Sequence, residues 1–285
     1  MGFNLSNLLQ AIYTELGQLT ASTATGGSTT TAVDSKMQGQ YADDDWKDGA
    51  LFVIRDAGGA GAAPEGEFKL ISGYDDDGSI GTFTMDTALT AVIASGDTFG
   101  FANAYYPLHT MIELVNAVLR SLGDIALVDT TTLDTTGSKT EYAAAVAWKR
   151  RRPLAVDIQG KTGDVNDNHW VRVHDWDFVP AAPGSTGLII FKSQPTSGRD
   201  MRVWYKDAHP RLSEYNDMLS ETITPELAVA AGVERGLRWQ NSRAGGGDPF
   251  LLQSWKDAKI ELERAKIEYP VWSPRRSANL MITGE

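Results

Sequence analysis

From Thr20 to Ala104 the apolar residues come in short runs rich in β-branched and aromatic side chains, and glycine or aspartate interrupts each before it reaches helical length. The runs are TASTATGGSTTTAV, GALFVIRDA, GEFKLISGY, SIGTFTMDTAL and GDTFGFANA. About five strands in roughly 85 residues predict a small antiparallel β-barrel or sandwich. Gly58, Gly59 and Gly61 follow one of these strands as phosphate-cradling glycines do. Pro64 stands where a third glycine is needed, however, and another strand follows, so a hairpin loop is the better reading. Asp75, Asp76, Asp77 and Gly78 similarly read as a turn: a calcium loop through Asp75 and Asp77 would place Gly73 and Thr84 at two ligand positions.

Helical spacing brackets this region. Leu5, Leu8, Leu9, Ile12 and Leu16 form the stripe of a short amphipathic helix ending near Gly17. Leu108, Met111, Ile112, Val115, Leu119 and Leu122 keep the same period from Pro107 to Gly123. A second β-rich stretch follows, with strands expected at IALVDT, EYAAAVAW, PLAVDIQ, HWVRVHDWDFV, GLIIFK and RDMRVWYK. Thr224-Pro225 and Asp248-Pro249 each offer an N-cap and an N1 proline to a helix. The second helix reaches Tyr269 with Leu251, Leu252, Trp255, Leu262 and Ala265 on its apolar face, and SRAGGGDP between the two permits a hairpin.

The expected class is therefore α+β. Residues 1–19 hold an N-terminal helix, 20–106 a β-barrel or sandwich module, 107–123 and 207–270 a helical body with a C-terminal helical hairpin, 124–206 a second β-rich module, and 271–285 an extended tail. That tail has no period and begins beyond Pro270, so nothing in its pattern docks it on a core.

Charge and composition exclude several roles. A net charge of -11 repels phosphate backbones, which disfavours a free DNA binder. With 0 cysteines there is no thiol nucleophile, no Cys-ligated zinc and no redox argument about compartment. No apolar run approaches a membrane span, and the first residues lack the basic segment of a signal peptide. Met1 to Ser6 fits the loose myristoylation pattern, without the polybasic patch that firm anchoring needs. No membrane partner is expected.

Catalytic patterns fail one by one. There is no G-x-x-x-x-G-K-[ST], G-x-S-x-G or H-E-x-x-H. His169 and His174 are five apart on an expected strand and would face opposite sides, a poor chelate pair. Asp164, Asn166 and Asn168, with Asp175 in the twelfth position, come nearer a calcium loop, but His169 stands where its glycine belongs. Asp175 and Asp177 flank Trp176 on one expected strand, as glycosidase carboxylates do, and outward aspartates alternating with an inward tryptophan explain the same pattern. No catalytic residue, metal ligand or cofactor is therefore expected. The candidate interface residues are the basic cluster Lys149, Arg150, Arg151 and Arg152, which reads either as a solvated strand connection or as a patch that meets an acidic partner or passing nucleic acid, and, in the tail, Trp272, Arg275, Arg276, Leu280, Met281 and Ile282.

Two stretches carry a resemblance. ATGGSTTTAVDSKM, DDDWKDGALFVIRDAGGAG and GEFKLISGYDDDGSIGTFTMDTAL, in that order, resemble a β-module of tailed-bacteriophage structural proteins, with its T/S-rich strand, D-x-W-x-x-G turn and I-x-x-Y-D hairpin followed by a glycine turn. GRDMRVWYKDAHPRLSEYNDML followed by ITPELAVAAGVERGL is similar to the strand, H-P-x-L turn and helix of phage neck and head-to-tail adaptor (connector) proteins. The resemblance implies a virion protein made in the host cytoplasm, assembled into a ring, commonly dodecameric. Such a ring docks below the portal protein, meets the tail or a second neck protein, and extends the channel through which DNA passes at genome ejection. Trp46, Gly49, Tyr74, Asp75, His209 and Pro210 match its patterns as fold-setting positions. Two other classes stay open: a phage tail, receptor-binding or carbohydrate-binding β-module, suggested by 8 Trp and 9 Tyr in a β-rich chain, and a hydrolase built on Asp175 and Asp177.

Overall fold

The computed structural model describes residues 2–76, 78–133, 139–148, 152–160, 169–180, 182 and 186–274. Among these the fold is mixed α+β, with four α-helices and antiparallel sheets. Two compact units are present. Unit 1 is Met1–Leu122 with Pro210–Pro270, and unit 2 is Gly123–His209 with the described residues from Val271 on.

Unit 1 opens with α1 (Leu5–Glu15), whose first turn is closed by the Asn4 side chain accepting the Asn7 N–H at 2.8 Å. Leu5, Leu8, Leu9 and Ile12 are fully buried, as their spacing predicts. Seven strands follow: β1 (Thr20–Thr23), β2 (Gly26–Gly27), β3 (Thr31–Asp34), β4 (Ala50–Arg55), β5 (Phe68–Asp76), β6 (Gly81–Met85) and β7 (Thr98–Ala102). The Thr-rich stretch expected to be one strand is three. Ser28 N–H bonds the Thr31 carbonyl at 2.9 Å and its hydroxyl lies 2.8 Å from that of Thr31, so local polar contacts turn the chain there.

The seven strands make one antiparallel sheet in the order β1-β7-β4-β5-β6-β3-β2. Its edge strands, β1 and β2, are separated in the chain by Ala24 and Thr25 alone. A flat sheet of this size would hold its edges about 29 Å apart at ~4.8 Å per strand, whereas three Cα steps reach at most about 11 Å. The sheet therefore curls into a half-barrel, helped by register shifts between Val53 and Arg55 and between Ile71 and Gly73. Its inside is filled by Leu51, Val53, Phe83, Phe99 and Phe101, with Trp46 edge-on to Phe101 at 4.6 Å. Gly49 follows that tryptophan because a Cβ there would lie 2.0 Å from the Ala102 carbonyl oxygen, closer than any side chain permits.

Three more helices complete unit 1: α2 (Leu108–Ser121), α3 (Pro225–Arg243) and α4 (Pro249–Glu268). The first two helices of the chain both pack on α3, and α4 packs on α3 from outside. The buried Asn116 amide donates to the Leu212 carbonyl at 2.8 Å and accepts the Leu212 N–H at 2.8 Å, fixing the approach to α3. Thr224 takes the N-cap backbone position, but its hydroxyl makes no capping bond, so Pro225 alone supplies the expected start signal. Asp248 does cap α4, accepting the Phe250 N–H at 2.9 Å. The hairpin between the two turns through Gly245 and Gly246 at φ +73° and +71°, a left-handed pair that only glycine takes without strain.

Unit 2 holds β8 (Ile125–Asp129), β9 (Glu141–Ala143), β10 (Ala155–Gln159), β11 (Trp170–Val173), β12 (Trp176–Val179), β13 (Leu188–Phe191) and β14 (Met201–Asp207). They form a four-stranded sheet, β11-β10-β14-β8, and a three-stranded one, β12-β13-β9. Trp148, Val156, Trp176, Ile189, Phe191, Met201 and Val203 make the core of this unit. Two expected strands are broken for the same reason. HWVRVHDWDFV splits at His174–Asp175 so that Trp176 can turn inward, its indole N–H donating to the Val173 carbonyl at 3.1 Å across the corner. EYAAAVAW leaves the sheet after Ala143 and becomes a short 3-10 turn, Val146–Trp148, that buries Trp148 with its indole N–H on Asp129 at 3.1 Å. No helix among the described residues is long and apolar enough to cross a membrane.

Candidate interaction surfaces

Of the basic cluster, Lys149, Arg150 and Arg151 lie outside the described residues, as do Arg275, Arg276, Leu280, Met281 and Ile282 of the tail. Arg152 is described and exposed. Its guanidinium lies 5.2 Å from the ring centre of buried Trp176, a cation-π contact with the core of its own unit. Trp272 is anchored too: it meets Trp204 edge-on at 5.4 Å, half exposed, and Pro274 is buried. The tail therefore begins as a docked segment, contrary to the expectation drawn from its lack of period. Of the fold-setting positions, Trp46, Tyr74 and His209 are buried, whereas Asp75 and Pro210 are exposed.

The two carboxylates expected on one strand are not both on it. Asp175 lies in the corner before β12 and forms an exposed ion pair with Lys192 at 3.6 Å, and Asp177 is exposed on β12, accepting the Phe178 N–H at 3.0 Å. Among the described residues no three His or acidic side chains converge as metal ligands; the segment with Asp164, Asn166 and Asn168 lies outside them.

A surface the sequence reading missed covers one face of the four-stranded sheet. Asp157 on β10 is opposite Arg172 on β11 and Arg202 on β14, and its carboxylate accepts from both, at 2.5 and 2.9 Å, while Trp204 Nε1 donates to it at 2.8 Å. The Asp157 side chain is 3% exposed and both arginines near 30%, so the carboxylate is sealed beneath its partners. Arg202 is stacked 4.5 Å from Trp170 and 5.3 Å from Trp204. The pattern is legible in hindsight as W-x-R and R-x-W on two strands, since residues two apart share a face. What links them, the register around Asp157, is not in the local sequence.

The second surface belongs to unit 1. On α4, Leu251, Trp255, Ala258, Leu262, Ala265 and Tyr269 recur at heptad spacing toward α3, yet only Ala265 is fully buried. Phe250, Ile260 and Ile267 are 84%, 66% and 84% exposed. Beside the α3 and α4 contact runs an open groove of 760 Å³ floored by Val229, Val233 and Leu237 and rimmed by Glu15, Glu226, Asp257 and Glu261, with no basic residue in its lining. Glu261 has Arg264 at 3.9 Å.

Other buried charges hold loops. Asp97 accepts the Ala57 and Ala94 N–H groups at 2.9 and 2.7 Å, Glu67 accepts from Thr90, and Asp34 accepts from Ser22 and Lys36. Burial pushes the Asp129 carboxyl up, but hydrogen bonds from Thr132 and Thr131 outweigh it and hold its pKa below the ordinary 3.8. Burial raises Tyr74 and Tyr106 to about 12, the first further helped by the charge of Asp76. Each of these groups is explained by turn or core geometry.

Comparison with known families, with curated proteins and with solved structures finds no match to this chain.

Proposed function

We propose that the chain is a structural protein of a tailed-bacteriophage virion, a head-to-tail adaptor or neck ring that docks on the portal and extends the DNA channel toward the tail, without enzymatic turnover. The observation that carries the reading is α4, a helix of 20 residues with a single buried side chain and three large apolar residues exposed. A helix so poorly covered by its own chain gains most from covering by another. The two stretches that resemble phage structural and adaptor proteins point the same way, and the buried charges Asp34, Glu67 and Asp97 serve packing and turns. In this reading the half-barrel is the first module and unit 2 the second. The helices form the ring body, closed by the α3 and α4 hairpin, and the tail is the connecting arm. The bore is acidic, in keeping with a net charge of -11, and lets DNA slide. The ring is dodecameric, its partners are the portal and the tail or a second neck protein, and the basic cluster at residues 149–152 contacts protein rather than reading DNA. Co-sedimentation with purified portal rings tests this: one joint species is expected, and separate sedimentation at micromolar concentrations of both contradicts it.

A second reading, a receptor-binding or carbohydrate-binding module, is favoured by the Trp170, Arg202, Trp204 and Trp272 cluster, since exposed aromatic faces stack on sugars. Oligosaccharides that quench tryptophan emission in the native chain and not in Trp272→Ala would support it over the first.

A further inference from the structure

We propose that the groove beside α3 and α4 receives the C-terminal tail of a second copy of this chain, residues 275–282. This deepens the reading above, because it rests on the chain assembling with itself. The groove combines an apolar floor, Val229, Val233 and Leu237, with a rim of four carboxylates on three different helices. An occupant therefore has to bring cationic groups and, close behind them, aliphatic ones. Arg275-Arg276-Ser277-Ala278-Asn279-Leu280-Met281-Ile282 has that order, a dibasic pair followed by three consecutive large apolar residues, with Glu285 as the only acid beyond them.

Length fits as well. From Pro225 to Leu237 the groove follows α3 for about 18 Å at 1.5 Å per residue, and eight extended residues reach about 26 Å. Charge sets the condition for a contact between copies. Copies that each carry a net charge of -11 repel one another, so a contact between them needs local opposite charge. The arginine pair supplies it against Asp257 and Glu261. These acids lie one helical turn apart on the groove side of α4 and are exposed, so exchanging them leaves the fold intact.

Orthogonal charge exchange in the full-length chain tests the contact. Sedimentation velocity would be run on the native protein, on Arg275→Glu/Arg276→Glu, on Asp257→Lys/Glu261→Lys, and on an equal mixture of the two variants, with circular dichroism confirming that each is folded. The native chain should self-associate with rising concentration. Each variant alone should associate at least tenfold more weakly, and the mixture should recover association, since the reversed tail of one fits the reversed groove of the other. A native chain that stays monomeric at 100 micromolar overturns the proposal, as do variants that associate like the native protein or a mixture that recovers nothing. The outcomes also separate this contact from the ring. Closed rings that survive both reversals discard the tail contact and keep the ring, whereas open, charge-sensitive chains keep the contact and discard the ring.

Discussion

Asp157 is the residue whose removal says most about unit 2. Its carboxylate is enclosed by Arg172, Arg202 and the Trp204 indole, so Asp157→Ala removes the acceptor that all three donors share. Breaking such an arrangement from one side costs about 3–5 kcal/mol when fully buried, and the 27–30% exposure of the arginines puts the expected loss nearer 3. Urea unfolding read by tryptophan emission measures it, and a loss below about 1 kcal/mol would mean that water replaces the carboxylate. Tyrosines make the opposite kind of prediction. Tyr74 is buried, and its hydroxyl finds no partner among the described residues, so Tyr74→Phe should be neutral or stabilising by about 1 kcal/mol at pH 7. The native phenols of Tyr74 and Tyr106 hold their protons to about pH 12 instead of 10.0. Folding therefore binds protons more tightly than the unfolded chain does, and this stabilisation is complete below pH 10 and lost as pH rises toward 12. Absorbance at 295 nm and circular dichroism followed together should show part of the tyrosinate appearing with unfolding. Full ionisation in a still-folded chain contradicts the burial.

At the level of elements, α4 should be the least protected helix. It packs on α3 through one buried alanine and a row of half-covered side chains, so its amides should exchange through a sub-global opening well below the global unfolding free energy. Hydrogen exchange resolved by segment would show Pro249–Glu268 exchanging before Leu108–Ser121; equal protection would mean that α4 is already covered in the isolated chain. The helices were the legible part of this fold, because their start and stop signals are local: Asp248, Pro225, the Gly245-Gly246 turn and the leucine stripe of α1 need no distant partner to act. Strands were legible as strands but not as members of a particular sheet. Neither hydrophobic period nor turn residues announce that the chain changes sheets at His174–Asp175, since the cause is the inward turn of Trp176 into a core built by residues far away in sequence. The same limit hid the Asp157 cluster and the groove rim, whose carboxylates come from three helices. The curl of the large sheet follows from strand order, which pairs β1 with β7 across some 75 residues.

On the scale of the whole molecule, the proposed function requires assembly. A barely covered outer helix, an acidic-rimmed groove and a basic-then-apolar tail sequence are the surfaces that the proposed ring would use. An isolated β-module that binds sugars would need the Trp170 and Trp204 face and nothing from α4. The two readings therefore make different images. Negative-stain microscopy of the purified chain mixed with portal rings tests the central claim most directly. Closed rings of about twelve copies with a central hole, stacked coaxially on the portal, are the predicted result, and portal rings that remain bare among compact single subunits would contradict it.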